Sequence, residues 1–539
     1  MMRVGNRRGT GGRETHQAHS SSPGSSPMQR TLENPRDTQH PRLVNLLAIV
    51  IGALGIALRI RQFAVNRSLW FDEASLALNI VNRSPFELFH QLDYSQGAPI
   101  GFLLAQKLLI TLLGNSDIVL RLLPLTASIA TVPLMWRLLS AYTSPPDRRI
   151  SLLALWLFAV SQPLIWYGSE AKQYSTDVLA TLTLVALAHA CLIRKATPRL
   201  LFYLGIAGIL SLLISHPSLF IILGITIGLA SAEFTKKDWP ALRRLGAMVL
   251  GQVVSFAILY LLVLHPLASN KILIDYWRGS FMPMPPWRDV AWFPRVFSAM
   301  LTNPLGLPFP SISAVVILIG CVSLVLGNWP FAVCLLMPFL AALGASGFQK
   351  YPVSDRLLLF VVPIAYLALA EGVMGVHSLL SHWFRRCGWV SLSIVYLLVG
   401  MLLYGPTVLA FRMAVHPDRG EDIKPVMSYV KRGWSDGDFL YVYYGAVPAF
   451  RYYAPSYGIP RSAFVIGVAG RKEPARHIRD IERVRRHKHV WFLFSHACTW
   501  CVVDEERFYL RHLDQVGKRV DEFHAEGAAV YLYDFEDRG

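Results

Sequence analysis

The chain has 539 residues, 53% of them hydrophobic and only 16% charged, with a mean hydropathy of +0.39. Soluble domains carry about 25% charge, so this balance excludes a single water-soluble core and a disordered chain, and six scattered cysteines exclude a disulfide scaffold. The 52 basic residues exceed the 35 acidic ones by 17, which in so apolar a chain points to basic cytoplasmic loops rather than to nucleic acid.

Residues 1–42 are rich in Gly, Ser, Pro, Gln, His and Arg, with seven Arg against three acids. Such a segment buries too little apolar surface to fold and reads as a disordered cytoplasmic tail. The apolar run begins near residue 43 and no small-residue cleavage site follows it, so the first span reads as a signal anchor.

Residues 43–411 form the membrane domain. The stretches 43–58, 150–169, 178–193, 200–232, 245–270, 296–349 and 387–411 contain no Asp, Glu, Lys or Arg. A span needs roughly 20 apolar residues. The stretch 200–232 is too long for one span and breaks at His216-Pro217. The stretch 296–349 should hold two, hinged near Gly327-Asn328-Trp329-Pro330. With 118–140 and 357–376 the expectation is about eleven transmembrane helices.

The segment 98–113 is a further candidate, and loop charge decides it. Basic clusters stand at Arg148-Arg149, at Arg194-Lys195 with Arg199, at Lys236-Lys237 with Arg243-Arg244, and at Arg385-Arg386. All share the side of the basic N-terminus only if 98–113 does not cross. It therefore reads as a membrane-surface helix inside one external loop, 62–117, that carries amphipathic helices. The N-terminus is then cytoplasmic and the C-terminus external, in a plasma membrane.

Residues 412–539 regain charge, and their apolar runs shorten to strand length. Asp438–Tyr444, Ala463–Val468, His489–Ser495 and Ala528–Tyr533 read as strands, and 421–432, 473–486 and 504–516 as helices between them. That alternation predicts a soluble external α/β domain.

Three external segments carry residues able to do chemistry. Asp72 and Glu73 open an amphipathic stretch; acids there cap helices, and Asp72 equally suits a general base at the membrane surface. If residues 170–177 are helical, Glu170, Gln173, Tyr174 and Asp177 fall at i, i+3, i+4 and i+7, on one face. Charges at the mouth of a span are costly unless they face a wet cavity or one another; the bland reading is a solvated helix end with a Glu170–Lys172 pair. The third segment, Gln349 to Arg356, reads either as a plain polar turn or as a site holding Tyr351 and Arg356. Arg121 lies near the outer end of its span and His216 at an external turn. Cys498 and Cys501 have CxxC spacing, which a disulfide and two incidental thiols explain equally well.

At these residues the chain resembles the GT-C superfamily of membrane glycosyltransferases, in particular family 39, related to protein O-mannosyltransferases and the lipid A aminoarabinose transferase. The residues that carry the resemblance are Trp70–Ala74, Gln96-Gly97-Ala98-Pro99, Gly114, Arg121-Leu122-Leu123-Pro124, Glu170-Ala171-Lys172-Gln173-Tyr174-Ser175, and Tyr351-Pro352 through Arg356; the resemblance covers roughly 43–411. It implies a sugar donor carried on a polyprenyl phosphate. It also implies transfer with inversion to a lipid, glycan or protein acceptor on the external face. Asp72 would then be the base, with Glu73 and Glu170 beside it in the catalytic set, and Lys172, Arg121 and Arg356 would stabilise the phosphate leaving group. Gln173, Tyr174, Asp177, His216 and Tyr351 complete the substrate-binding set. Asp72, Glu170 or Asp177 would hold a divalent metal ion, if one takes part. A transporter or lipid flippase is the rival class, since transporters place ionisable groups on broken helices, but the sequence shows no internal repeat. A catalytically inactive relative is the third.

Overall fold

The structure is a computed structural model that describes residues 35–143, 148–384, 386–469, 474–497 and 504–535. The described residues from Val44 onward pack as one compact unit. Most of the tail expected over 1–42, and the Cys498–Cys501 pair, lie outside the described residues. The first helix, α1 (Pro35–Ala64), begins ahead of the expected boundary at 43. Backbone hydrogen bonding sets where a helix starts, and the polar residues 35–42 continue it past the apolar run.

Two helices follow in the loop after α1, α2 (Phe71–Asn82) and α3 (Ile100–Leu113), before α4 (Asp117–Tyr142). The bundle then runs through α5 (Arg148–Val160), α6 (Gln162–Tyr167), α7 (Tyr174–Arg194), α8 (Pro198–Ile214), α9 (Ser218–Thr235) and α10 (Trp239–Leu259). Short helices α11 (His265–Ala268), α12 (Lys271–Tyr276) and α13 (Trp292–Thr302) lead to α14 (Pro310–Gly347), α15 (Val362–Trp383) and α16 (Gly388–Val415).

Among the described residues, eight helical stretches are long and apolar enough to cross a bilayer. The eleven expected are not reached by that measure. Helices α5 and α8 run only 13 and 17 residues, and the pair expected within 296–349 stands as the single 38-residue α14. That helix leaves helical geometry at Asn328, with φ −151° and ψ 79°. The Asn328 side chain accepts from the Phe331 N–H at 3.2 Å and so caps the second half. The two halves meet different neighbours. A Cβ at Gly320 would stand 1.7 Å from the Ala368 carbonyl of α15, while one at Gly228 of α9 would meet Pro330 and Cys334. Glycine at such crossings lets helix backbones approach where no side chain fits.

Both ends of the loop 66–117 meet one side chain. The Lys424 ammonium donates to the Asn66 carbonyl at 2.7 Å and pairs with Asp117 at 2.8 Å. The two ends of the loop therefore lie close together, and α3 between them is 14 residues long.

The C-terminal region alternates α17 (Ile423–Gly433), β1 (Phe439–Val442), α18 (Val447–Tyr457), β2 (Phe464–Ile466), α19 (Pro474–Val484), β3 (His489–Ser495), α20 (Glu505–Val516), β4 (Lys518–Ala525) and β5 (Ala528–Asp534). The strand order is β2-β1-β3-β5-β4; β1 pairs parallel with β2 and β3, and β5 antiparallel with β3 and β4. Successive residues of β3 face opposite sides. Trp491 and Leu493 join the α17–α18 layer, whereas Val490, Phe492 and Phe494 join the layer of α19 and α20.

The first of these layers does not stop at the module's edge. Val426, Met427, Val447 and Phe450 share one apolar core with Leu69, Ala74, Leu76 and Ile80 of the loop and with Phe102 and Leu103 of α3. Polar ties reinforce it. Ser68 Oγ donates to Asp422 at 2.5 Å, Tyr453 Oη donates to Asp117 at 2.7 Å, and Tyr453 Oη accepts from the Leu69 N–H at 2.8 Å. The module expected as a separate domain over 412–539 thus covers the loop that carries Asp72 and Glu73.

Candidate active site

Asp72 and Glu73 occupy the first turn of α2. Consecutive helical residues point about 100° apart, so the two carboxylates take different surroundings.

Glu73 points inward and is fully buried, at 0% exposure. One oxygen accepts from Arg121 Nη2 at 2.8 Å and Arg67 Nη1 at 2.6 Å; the other accepts from Arg121 Nε at 2.9 Å and from the Ala171 N–H at 2.7 Å. Burial alone would raise its pKa, but the two guanidinium groups outweigh burial and hold the carboxyl down, at about 2. Four of the five Arg121 donors are committed, two to Glu73 and two to the carbonyls of Arg67 and Ser68. Arg67 lies over the Trp166 ring at 4.1 Å. Arg121, expected at the phosphate, and Glu73, expected in the catalytic set, form instead the buried pin that holds the 67–73 loop to α4 and the 168–173 turn.

Asp72 points the other way, into a cavity of about 1410 Å³. Arg356 Nη2 lies 2.5 Å from Asp72 Oδ2. Gln96 Nε2 donates to Asp72 Oδ1 at 3.5 Å while its own Oε1 accepts from Lys172 Nζ at 2.5 Å. The Arg356 guanidinium sits among aromatic faces, 5.3 Å from Trp70 and 6.0 Å from both Tyr174 and Trp277, contacts that favour a desolvated cation. Its Nε has no protein partner among the described residues. Burial would raise the Asp72 carboxyl, yet Lys172 and Arg356 outweigh that and hold it below its ordinary value. Burial pulls the Lys172 ammonium down, with Asp72 opposing. Two cations against one carboxylate leave this corner with an excess positive charge, suited to an anion.

The other expected residues divide. Gln173, Tyr174, His216 and Tyr351 line the same cavity. Burial lowers the His216 imidazole to about 4, so it is neutral, and Tyr351 donates its hydroxyl to the Leu357 carbonyl at 2.7 Å. Glu170 and Asp177 do not line it. The single-face helix pictured for 170–177 is not what forms: α7 starts at Tyr174, and Glu170 and Lys172 belong to the turn before it. The reason lies far away in the chain, since the Ala171 N–H bonds Glu73 rather than a preceding carbonyl. Buried Glu170 has no hydrogen-bond partner on either oxygen among the described residues, and burial followed by the nearby Glu73 raises its carboxyl.

Among the described residues no three His, Cys, Asp or Glu side chains gather as ligands for a metal. Asp72 is engaged by Arg356 and Gln96, and Glu170 and Asp177 lie off the cavity. The divalent ion allowed for in the sequence finds no matching donor set, and no step below runs through one.

Away from the charges the wall is apolar. It consists of Leu219 and Phe220 of α9, Phe256 of α10, and Tyr260, Leu264 and Leu267 beyond it. Residues 260–264 form a π-helical turn, a feature often found at functional sites. The opposite wall comes from the C-terminal module and holds Glu421, Tyr444, Gly445 and His496. Sequence reasoning passed over Glu421 and His496. The available signal was that His496 directly follows a predicted strand, and open α/β sheets bind ligands at the carboxyl ends of their strands.

No protein-family model matches the chain, and no curated protein matches it. Among solved structures, the oligosaccharyltransferase AglB of Archaeoglobus fulgidus, in complex with an inhibitory peptide and a dolichol-phosphate, is 12% identical with a TM-score of 0.47, covering 91% of this chain and 74% of that one. ArnT from Cupriavidus metallidurans in the apo state is 12% identical with a TM-score of 0.48, over 92% of this chain and 98% of that one. The same protein bound to undecaprenyl phosphate gives 12% and 0.46, over 91% and 97%.

Proposed function

We propose that the protein is a membrane glycosyltransferase that moves a sugar from a polyprenyl-phosphate carrier to an acceptor on the external face of the plasma membrane, with inversion. The observation that carries this reading is the make-up of the cavity: apolar Leu219, Phe220, Phe256 and Leu264 line it together with the charged Lys172, Arg356 and Asp72. An apolar chain fits the first part and a phosphate the second. A cavity of this size exceeds the roughly 300–1,000 Å³ of an ordinary small-molecule site, as a long lipid requires.

Arg356 and Lys172 bind the donor phosphate and stabilise the charge that develops when the bond from the anomeric carbon to the phosphate oxygen breaks. The acceptor oxygen attacks from the opposite side in a single displacement, which inverts the centre. Asp72, ionised between the two cations, accepts the acceptor hydroxyl's hydrogen bond and takes its proton. A flippase reading gains nothing here, because the charged groups collect at one end of the bundle beside the module that covers them.

Undecaprenyl phosphate is the probe that tests the donor site. Hydrogen bonds to charged groups contribute about 1.5–3 kcal/mol, so Arg356→Ala and Lys172→Ala are each expected to weaken its binding by about tenfold or more. Unchanged affinity in both variants would remove the phosphate from this corner.

The same reading orients the chain, with the N-terminus cytoplasmic and the module external. Compartment reporters fused after residues 145 and 420 are expected to report opposite sides. Agreement between the two would refute the orientation.

A further inference from the structure

The proposed reaction uses one acid–base group of the cavity, and a second faces it from the module. Three parallel strands end on this wall. Tyr444 and Gly445 follow β1, Gly467 follows β2 and His496 follows β3, and all line the cavity. His496 has φ 55°, a left-handed conformation uncommon for a residue other than glycine and one that persists where surrounding structure holds it, often at functional sites.

What holds it is visible. His496 Nδ1 lies 2.6 Å from Glu421 Oε1, and the other Glu421 oxygen accepts from the Phe71 N–H at 3.2 Å. The Phe71 ring stacks on the imidazole at 4.6 Å and 17°. Facing a carboxylate, Nδ1 carries the hydrogen and donates it, so in the neutral ring Nε2 is the nitrogen that takes up a proton. Both side chains keep about a fifth of their surface open, 23% for His496 and 20% for Glu421. The dyad is thus clamped to the residue immediately before Asp72, and His496 contributes to the electrostatic field on Asp72.

We infer that His496, oriented by Glu421, is the destination of the proton that the acceptor hydroxyl gives up, received from Asp72. This rests on the transferase reading above. The step balances. The acceptor O–H bond breaks as its oxygen bonds the anomeric carbon, and the electron pair of the carbon–phosphate oxygen bond leaves with the polyprenyl phosphate. The proton passes from the Asp72 carboxyl to His496 Nε2, giving an imidazolium paired with Glu421 that loses its proton to water when products leave. Asp72 is a poor resting place, because a protonated carboxyl beside Arg356 and Lys172 is a strong acid. An imidazole backed by a carboxylate is a good one. The charged groups around His496 are Glu421, Asp72 and, beyond Asp72, Arg356 and Lys172.

The test uses full-length protein in membranes. The transferred sugar and its acceptor are first identified by lipid and glycan mass analysis of cells with and without the gene. His496→Ala is expected to lower turnover about 10²-fold, at the low end for general acid–base groups, with undecaprenyl phosphate affinity unchanged. Added imidazole should restore part of the rate, which a purely structural role would not allow. Glu421→Gln should lower turnover less and displace the limb of the pH–rate profile. Should His496→Ala fail to accumulate, His496→Gln is measured in its place, with the same expected fall. A wild-type rate in the His496 variant, or a loss equal at every pH that imidazole does not restore, overturns the inference and leaves the transferase reading standing. A wild-type protein whose loss changes no lipid or glycan overturns both.

Discussion

Asp72→Asn is expected to reach the membrane at the wild-type level and to lose transfer by about 10²- to 10⁴-fold, the usual contribution of a general base. The substitution keeps size and leaves one oxygen to accept from Arg356, so the local packing survives, while its amide NH2 can no longer accept from Gln96 Nε2. It removes the only carboxylate of the expected site set that opens on the cavity, and with it the charge that fixes Arg356 among Trp70, Tyr174 and Trp277. The measurement is sugar transfer by membranes matched for protein content. An Asp72→Asn variant working at the wild-type rate would end the role assigned to Asp72.

The neighbouring substitution should behave in the opposite manner. Glu73→Ala is expected to cost about 3–5 kcal/mol, the range for removing one partner of a buried ion pair, because it strands Arg67 and Arg121 without their counter-charge and leaves the Ala171 N–H unbonded. Little folded protein should accumulate. The readout is the amount of monodisperse protein extracted in mild detergent and its melting temperature; yield and melting point equal to those of wild type would show that the pin carries no stability. Two adjacent acids would then be separated experimentally, one by lost turnover in a sound protein and the other by loss of the protein itself.

The sequence could not make that separation. Both residues are acids at a helix start, and only the three-dimensional positions of Arg67, Arg121 and Arg356 decide which faces in. Charge and hydropathy did mark the membrane region, the helix break near Asn328 and four of the five strands, because those depend on local composition. Strand β4 escaped notice since it lies at the sheet edge and its residues Lys518, Arg519, Asp521 and Glu522 show no apolar alternation. Helix α18 was hidden by Pro448 and Pro455, the first tolerated at its start. The turn 168–173 has helical spacing on paper, yet a long-range bond to Glu73 diverts its backbone. His496 belongs to the site through contacts with Phe71 and Glu421, residues far from it in the chain, and no local pattern reports such distances.

The apolar core that joins the module to the loop has a consequence for how each copy comes into being. Ribosomes deliver the helices first and the sheet afterwards, and until Val426, Met427 and Phe450 settle against Leu69, Ala74 and Ile80 the wall bearing His496 is missing. A chain stalled midway through synthesis therefore carries the helical wall of the cavity without the wall that closes it. On the proposed reading such a fragment lacks the wall that would bring an acceptor to the donor, so premature copies are poorly placed to use it.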